Sequence, residues 1–126
     1  MAAAVADYRV KEYSEQKMKK RAGVNEGVTL ELVQNPDILK EISAIDCKAK
    51  IVGFCAESEN LLENAKIKIQ NKGCDYLVAN DISRKDIGFS SNMNEVYILD
   101  KNLKISHIEI DTKQNIAIKI LEKVFE

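Results

Sequence analysis

The sequence predicts an α/β sandwich of three layers around a mixed sheet, because short apolar runs of strand length alternate with longer segments of helical period. Residues 2–6 (AAAVA), 50–55 (KIVGFC) and 76–79 (YLVA) are continuous apolar runs, as parallel strands covered on both faces are. Residues 95–99 and 103–110, joined through Asp100-Lys101-Asn102, have the pattern and turn residues of a closing antiparallel hairpin.

The first run consists of small residues and feeds straight into a polar segment at Asp7, which leads to the expectation that the N-terminal part of the sheet lies outside this sequence. Residues 8–27 are charged and punctuated by glycine, with no sustained period, and are expected to form a long flexible flap within a single domain, 1–126. Residues 28–33 (VTLELV) alternate as a half-exposed strand does. A helix should follow, with Asn35 as its N-cap and Pro36 at its first position, ending before Cys47. Ser58 is the expected cap of the next helix, which carries Leu61, Leu62, Ala65 and Ile69 as its apolar stripe, runs to Lys72 and stops at Gly73. Thr112 should cap a final helix with Ile116, Ala117, Ile120, Leu121 and Val124 on one face.

Composition narrows the function. The 19 basic and 20 acidic residues nearly cancel, so no global field draws the chain to nucleic acid or to an anionic membrane, and an anion site must be local. Cys47, Cys55 and Cys74 are odd in number and lack CxxC spacing, which favours reduced thiols and a cytoplasmic setting over a disulfide framework or zinc knuckle. No apolar run approaches the roughly 20 residues that span a bilayer.

Ligands of an open parallel sheet sit outside the carboxyl ends of its strands. Three such ends carry polar residues: Asp7, Glu57 and the pair Asn80-Asp81. Asp7 and Asp81 serve equally well as loop or helix caps, and Glu57 as a first-turn carboxylate. Lys17, Lys19, Lys20 and Arg21 could close over a polyphosphate, although a solvated charge run is the commoner meaning of such a cluster. The start of the Pro36 helix offers free N–H groups to a phosphate, or is an ordinary capped helix. Lys68 and Lys72 lie one turn apart on one helix face, where cations near a C-terminus also answer the macrodipole. His107, the only histidine, has no carboxylate or cysteine at ligand spacing and reads as structural. No Ser-His-Asp order, Walker loop or GxGxxG is present.

Taken in order, AAAVADYR, KMKK, LVQNPDIL, VGFCAESENLLENAKIKIQNKGCDYLVAND and GFSSNMNEV, followed by the terminal helix, resemble the bacterial phosphopantothenoylcysteine synthetase family, the phosphopantothenate–cysteine ligases. The set VGFxAE, helix, VAND and GFxSxxNEV is specific. Val10 departs from the family, which often has proline after ADYR. The resemblance implies a Rossmann-like sheet and an upstream half with a glycine-rich nucleotide loop and an asparagine needed for amide formation, so that the isolated chain is expected to be inactive in ligation.

The reaction it implies has two steps. The carboxylate of 4′-phosphopantothenate attacks the α-phosphate of CTP, giving an acyl-cytidylate and pyrophosphate, and the amine of cysteine then displaces CMP. By the same resemblance Lys17 acts on the triphosphate, Asp7 and Met1-Ala2-Ala3 line the nucleotide pocket, and Pro36, Asp37, Ile38, Leu39, Phe54, Lys68 and Lys72 contact the nucleotide. Mg2+ would accompany CTP, held by phosphate oxygens and water rather than by a protein cage. Family members form homodimers through strands after the flap, here near residues 28–33.

Overall fold

The computed structural model describes residues 5–17, 19, 27–46, 48–83 and 91–126. The chain groups into two compact units, Met1–Asp37 and Ile38–Glu126.

In the first unit, β1 (Tyr8–Val10) and β2 (Leu32–Gln34) form an antiparallel ribbon in which Arg9 faces Val33. Arg9 Nη1 donates to Gln34 O at 2.9 Å and Asn35 Oδ1 at 3.0 Å, and Asn35 Nδ2 donates to Ala6 O at 2.6 Å. This departs from the sequence reading at three points. Tyr8–Val10 is strand rather than loop, because its backbone groups find β2. The second strand is Leu32–Gln34, three residues long, and not 28–33. Asn35 locks the ribbon instead of capping a helix, and Pro36 precedes the helix that begins at Ile38. Ala2–Ala4 of the first apolar run, and Met18 and 20–26 of the flap, lie outside the described residues.

The second unit is built on a four-stranded sheet of order β3-β4-β5-β6. β3 (Val52–Glu57) and β4 (Tyr76–Asp81) are parallel, joined by α2 (Leu61–Lys72), while β5 (Met93–Asp100) and β6 (Ile105–Thr112) form the antiparallel hairpin. Strand alternation sends one set of side chains to each helix. Leu77, Ala79 and Leu99 pack with Ala65 and Ile69 of α2, and α1 (Ile38–Ser43) adds Leu39. Val78, Val96 and Ile98 pack on the opposite face with Ile116, Ile120 and Val124 of α3 (Lys113–Phe125). The result is the expected three-layer α/β arrangement with a mixed sheet.

The ends of the helices show which local signals hold. Gly73 takes φ 67°, a left-handed conformation that costs glycine little, and its N–H closes on Ile69 O, so α2 stops where expected. Thr112 caps α3 by accepting from Asn115 N at 3.2 Å. Ser58 does not cap α2; the residue before the helix is Asn60, itself left-handed at φ 50° with no side-chain cap. On α3, Ala117 and Leu121 are exposed, because the helix axis directs only Ile116, Ile120 and Val124 inward. Lys50 donates to Val124 O and lies over the rings of Phe125 and Tyr76, placing a cation at the negative end of α3.

Asp111, beside the Thr112 cap, is a local test of this electrostatics. It accepts from Lys119 Nζ at 2.8 Å, Asn115 Nδ2 at 2.9 Å and Thr112 N at 2.7 Å. These bonds, that of Lys119 first, hold its carboxyl at about 2. A carboxyl depressed on folding contributes stability that is complete above its unfolded value of about 4 and disappears as pH falls through the folded value. Asp111→Asn should therefore lower Tm at neutral pH, with the gap to wild type closing toward pH 2. An equal gap at both ends, measured by circular dichroism, would contradict this.

Candidate functional site

Parallel pairing of β3 and β4 in register, with Glu57 opposite Asp81, brings two strand carboxyl ends side by side. Their order is fixed by the backbone, since Ile82 N donates to Glu57 O at 2.9 Å. Asp81 Oδ1 accepts from Ser83 N at 2.8 Å and Ser83 Oγ at 2.7 Å, which is the turn role that its sequence position allowed.

Glu57 is the last residue of β3 and not part of the following helix. Its side chain points to the α2 face, as Cys55 does, and one carboxylate oxygen accepts from Lys68 Nζ while the other accepts from Asn64 Nδ2 at 3.1 Å. The lysine bond, with a smaller share from Asn64, holds the Glu57 carboxyl below its ordinary value against the opposing effect of burial. Lys68 arrives there because long helical side chains lean toward the N-terminus, carrying its ammonium back toward the end of β3. Lys72, four residues later on the same helix, is anchored about 6 Å farther from that end and also has a partner.

Phe54 lies on the other face of the sheet, in register with Val78, and is 68% exposed. The run 50–55 was expected to be buried on both faces; instead β3 is an outer strand among the described residues, and α3 does not reach Phe54. Phe54, three residues before Glu57 in β3, and Lys68 thus lie on opposite faces of the sheet. Ile38 and Leu39 begin α1, and the Leu39 side chain is committed to the core against Gly53, where an added Cβ would lie 2.7 Å from Leu39 Cδ2. Asp7, Lys17, Pro36 and Asp37 belong to the first unit, where Asp7, Lys17 and Pro36 are exposed. Met1, Ala2 and Ala3 lie outside the described residues.

Two polar arrangements escaped the sequence reading. Asn64 also bonds Glu57, a link signalled by its i,i+4 spacing from Lys68 and missed because the sequence left Glu57 open between strand end and first helical turn. His107 does have a carboxylate: Nε2 lies 2.6 Å from Glu95 Oε1 across the hairpin, and its ring stacks on Tyr97 at 4.5 Å. Sequence spacing conceals such a pair, because only strand register creates it. Cys55, half-buried beside this face, has its thiol pushed up by burial, as has buried Cys74, and both are free, as expected.

The amide oxygens of Asn80 and Asn94, on the α3 face, are buried without a partner among the described residues, as small enclosed waters could satisfy. A depression of about 170 Å³ is lined by Lys50, Asp75, Tyr76, Asp100, Lys101 and Asn102 at the opposite end of β4. It is smaller than the few hundred Å³ of ordinary ligand clefts and far from the strand ends that the parallel pair presents. No helix among the described residues is long and apolar enough to cross a membrane.

A mixed sheet between helices, with a held lysine at the carboxyl end of its parallel pair, defines an α/β domain with a candidate anion site. The chain belongs to the family described as DNA/pantothenate metabolism flavoprotein C-terminal domain, whose model matches residues 1–126. It is 36% identical over 125 residues to the coenzyme A biosynthesis bifunctional protein CoaBC of Vibrio parahaemolyticus, covering 98% of this chain and 31% of that protein. It is 38% identical over 126 residues to the CoaBC of Borreliella burgdorferi, covering 98% of this chain and 30% of that protein. The chain therefore spans about a third of the length of the curated relatives it matches. Among solved structures, the C-terminal domain of a CoaBC superposes with TM-score 0.67 at 30% identity, over 97% of this chain and 50% of that one. The DNA/pantothenate metabolism flavoprotein of Streptococcus pneumoniae, at TM-score 0.64 and 23% identity over 83% of this chain and 44% of that one, shares the fold.

Proposed function

We propose that this chain serves coenzyme A biosynthesis as part of a ligase that joins cysteine to 4′-phosphopantothenate at the expense of CTP. The observation that carries this reading is the match of the family model along residues 1–126, together with the CoaBC name of the relatives. In the first step a carboxylate oxygen of 4′-phosphopantothenate bonds to the α-phosphorus of CTP, the bond to the bridging oxygen breaks, and pyrophosphate leaves. In the second the cysteine nitrogen bonds to the acyl carbon, CMP leaves with the bonding pair, and the nitrogen gives up a proton.

Both steps need cations where phosphate charge accumulates. Lys17 would answer the charge on departing pyrophosphate, and Lys68 and Lys72 would meet the nucleotide. By the family likeness Asp7, with Met1, Ala2 and Ala3, would line the nucleotide pocket, and Pro36, Asp37, Ile38, Leu39 and Phe54 would contact the nucleotide. Mg2+ would enter on the oxygens of the triphosphate, with water filling its remaining positions.

A homodimer is part of the proposal. Tyr8, Val10, Leu30 and Leu32 leave 53%, 45%, 54% and 54% of their surface exposed on and beside the ribbon, an apolar patch of the kind that self-association covers.

The test mixes CTP, 4′-phosphopantothenate and cysteine with the chain, alone and with the remaining part of a relative such as the Bacillus subtilis CoaBC. The reading predicts phosphopantothenoylcysteine in the reconstituted mixture and pyrophosphate release that requires both CTP and phosphopantothenate. No product there, with the intact relative active alongside, would remove it.

A further inference from the structure

We propose that Glu57 is a positioning residue: it holds the Lys68 ammonium at the carboxyl end of β3, ready for a phosphate of a nucleoside triphosphate. The inference rests on the reading that Lys68 meets the nucleotide, and assigns a task to a residue which that reading leaves idle.

The Glu57 carboxylate is itself fixed. Its backbone is tied to β4 through Ile82 N, its side chain is 14% exposed, and its two oxygens are taken by Lys68 and Asn64. Asn64 in turn donates to Glu59 O at 3.0 Å, so the strand end, the turn and the first turns of α2 form one hydrogen-bonded unit. A free lysine has four rotatable bonds, and ordering it on a ligand consumes part of the binding free energy. Lys68 has that cost met before any ligand arrives. Its ammonium has three donors, Glu57 engages one, and the side chain is 43% exposed, which leaves donors facing solvent at the strand end. Asn60 opens α2 without a side-chain cap, so the first N–H groups of that helix face the same end.

A neutralising carboxylate also subtracts positive potential, so positioning and charge must be separated by the choice of variant. Glu57→Asp keeps the charge and shortens the reach by one methylene, whereas Glu57→Gln keeps the reach and removes the charge. Calorimetric titration of the chain with CTP should show Glu57→Asp binding about 3- to 10-fold more weakly than wild type, the size of one lost pre-formed contact. Glu57→Gln should bind no more weakly than wild type. In the Lys68→Ala background Glu57→Asp should have no further effect. Lysine-selective NMR adds a readout independent of the ligand: the Lys68 ammonium should exchange slowly with water in wild type and rapidly in Glu57→Asp.

If Lys68→Ala weakens CTP binding but Glu57→Asp does not, Glu57 has no positioning role. Equal effects of Glu57→Asp with and without Lys68 would mark it as merely structural, and also overturn the proposal. If Lys68→Ala leaves CTP binding unchanged, the nucleotide reading of Lys68 falls and the positioning role falls with it, even where NMR finds the ammonium held.

Discussion

Lys17→Ala in the active ligase should lower kcat by about 100-fold or more, while the KM for CTP rises only a few-fold. Removing one preorganised group from the place where transition-state charge develops typically has an effect of this size. The asymmetry arises because the β- and γ-phosphates gain charge only as their bond to the α-phosphorus breaks, so a cation on them contributes more to the transition state than to the bound substrate. The side chain suits such a role: Lys17 is exposed, in a run of charged residues. Steady-state kinetics with CTP varied gives both parameters. Equal losses in kcat and in affinity would assign Lys17 to binding alone, and no loss would take it out of the site.

Leu99→Ala should destabilise the second unit by about 2–5 kcal/mol, a large share of the stability of any domain this small. Leu99 is fully buried, opposite Leu77 across the β4–β5 ladder and against Ala65 and Ile69 of α2. Its removal leaves a cavity with helix on one side and sheet on the other, neither of which collapses easily. Leu121→Ala is the matched control. It lies on α3, where periodicity alone makes it a core residue, yet it is 58% exposed and its loss should change stability by no more than about 0.5 kcal/mol. Urea denaturation of both variants separates the two cases. A comparable loss for each would mean that the outer side of α3 is packed in solution.

The layers of the second unit were legible because their signals are local. Gly73 and Thr112 mark helix ends by backbone conformation and capping chemistry, and 76–79 is apolar on both faces because helices cover both. The ribbon was not legible. Tyr8–Val10 becomes a strand only through pairing with Leu32–Gln34 more than 20 residues away, and Asn35 was misread because its N-cap chemistry serves equally well to lock a strand pair. Site residues divide in the same way. Lys68 and Lys72 could be placed on one helix face from their spacing, but the tie from Lys68 to Glu57 depends on where β3 ends, which a shift of two residues had hidden. His107 and Glu95 meet by hairpin register, which carries no mark in either segment alone. The resemblance supplied the reaction, which no single residue here specifies.

The acyl-cytidylate is the claim on which the functional account turns, and it can be seen directly. With cysteine withheld, an active preparation containing this chain, CTP and 4′-phosphopantothenate should release pyrophosphate and accumulate an adduct with the mass of phosphopantothenate plus CMP less water. Adding cysteine should convert that adduct to phosphopantothenoylcysteine and CMP. Pyrophosphate release only when cysteine is present, or release of inorganic phosphate and CDP in its place, would show that the carboxylate is not activated by cytidylyl transfer and would contradict the account.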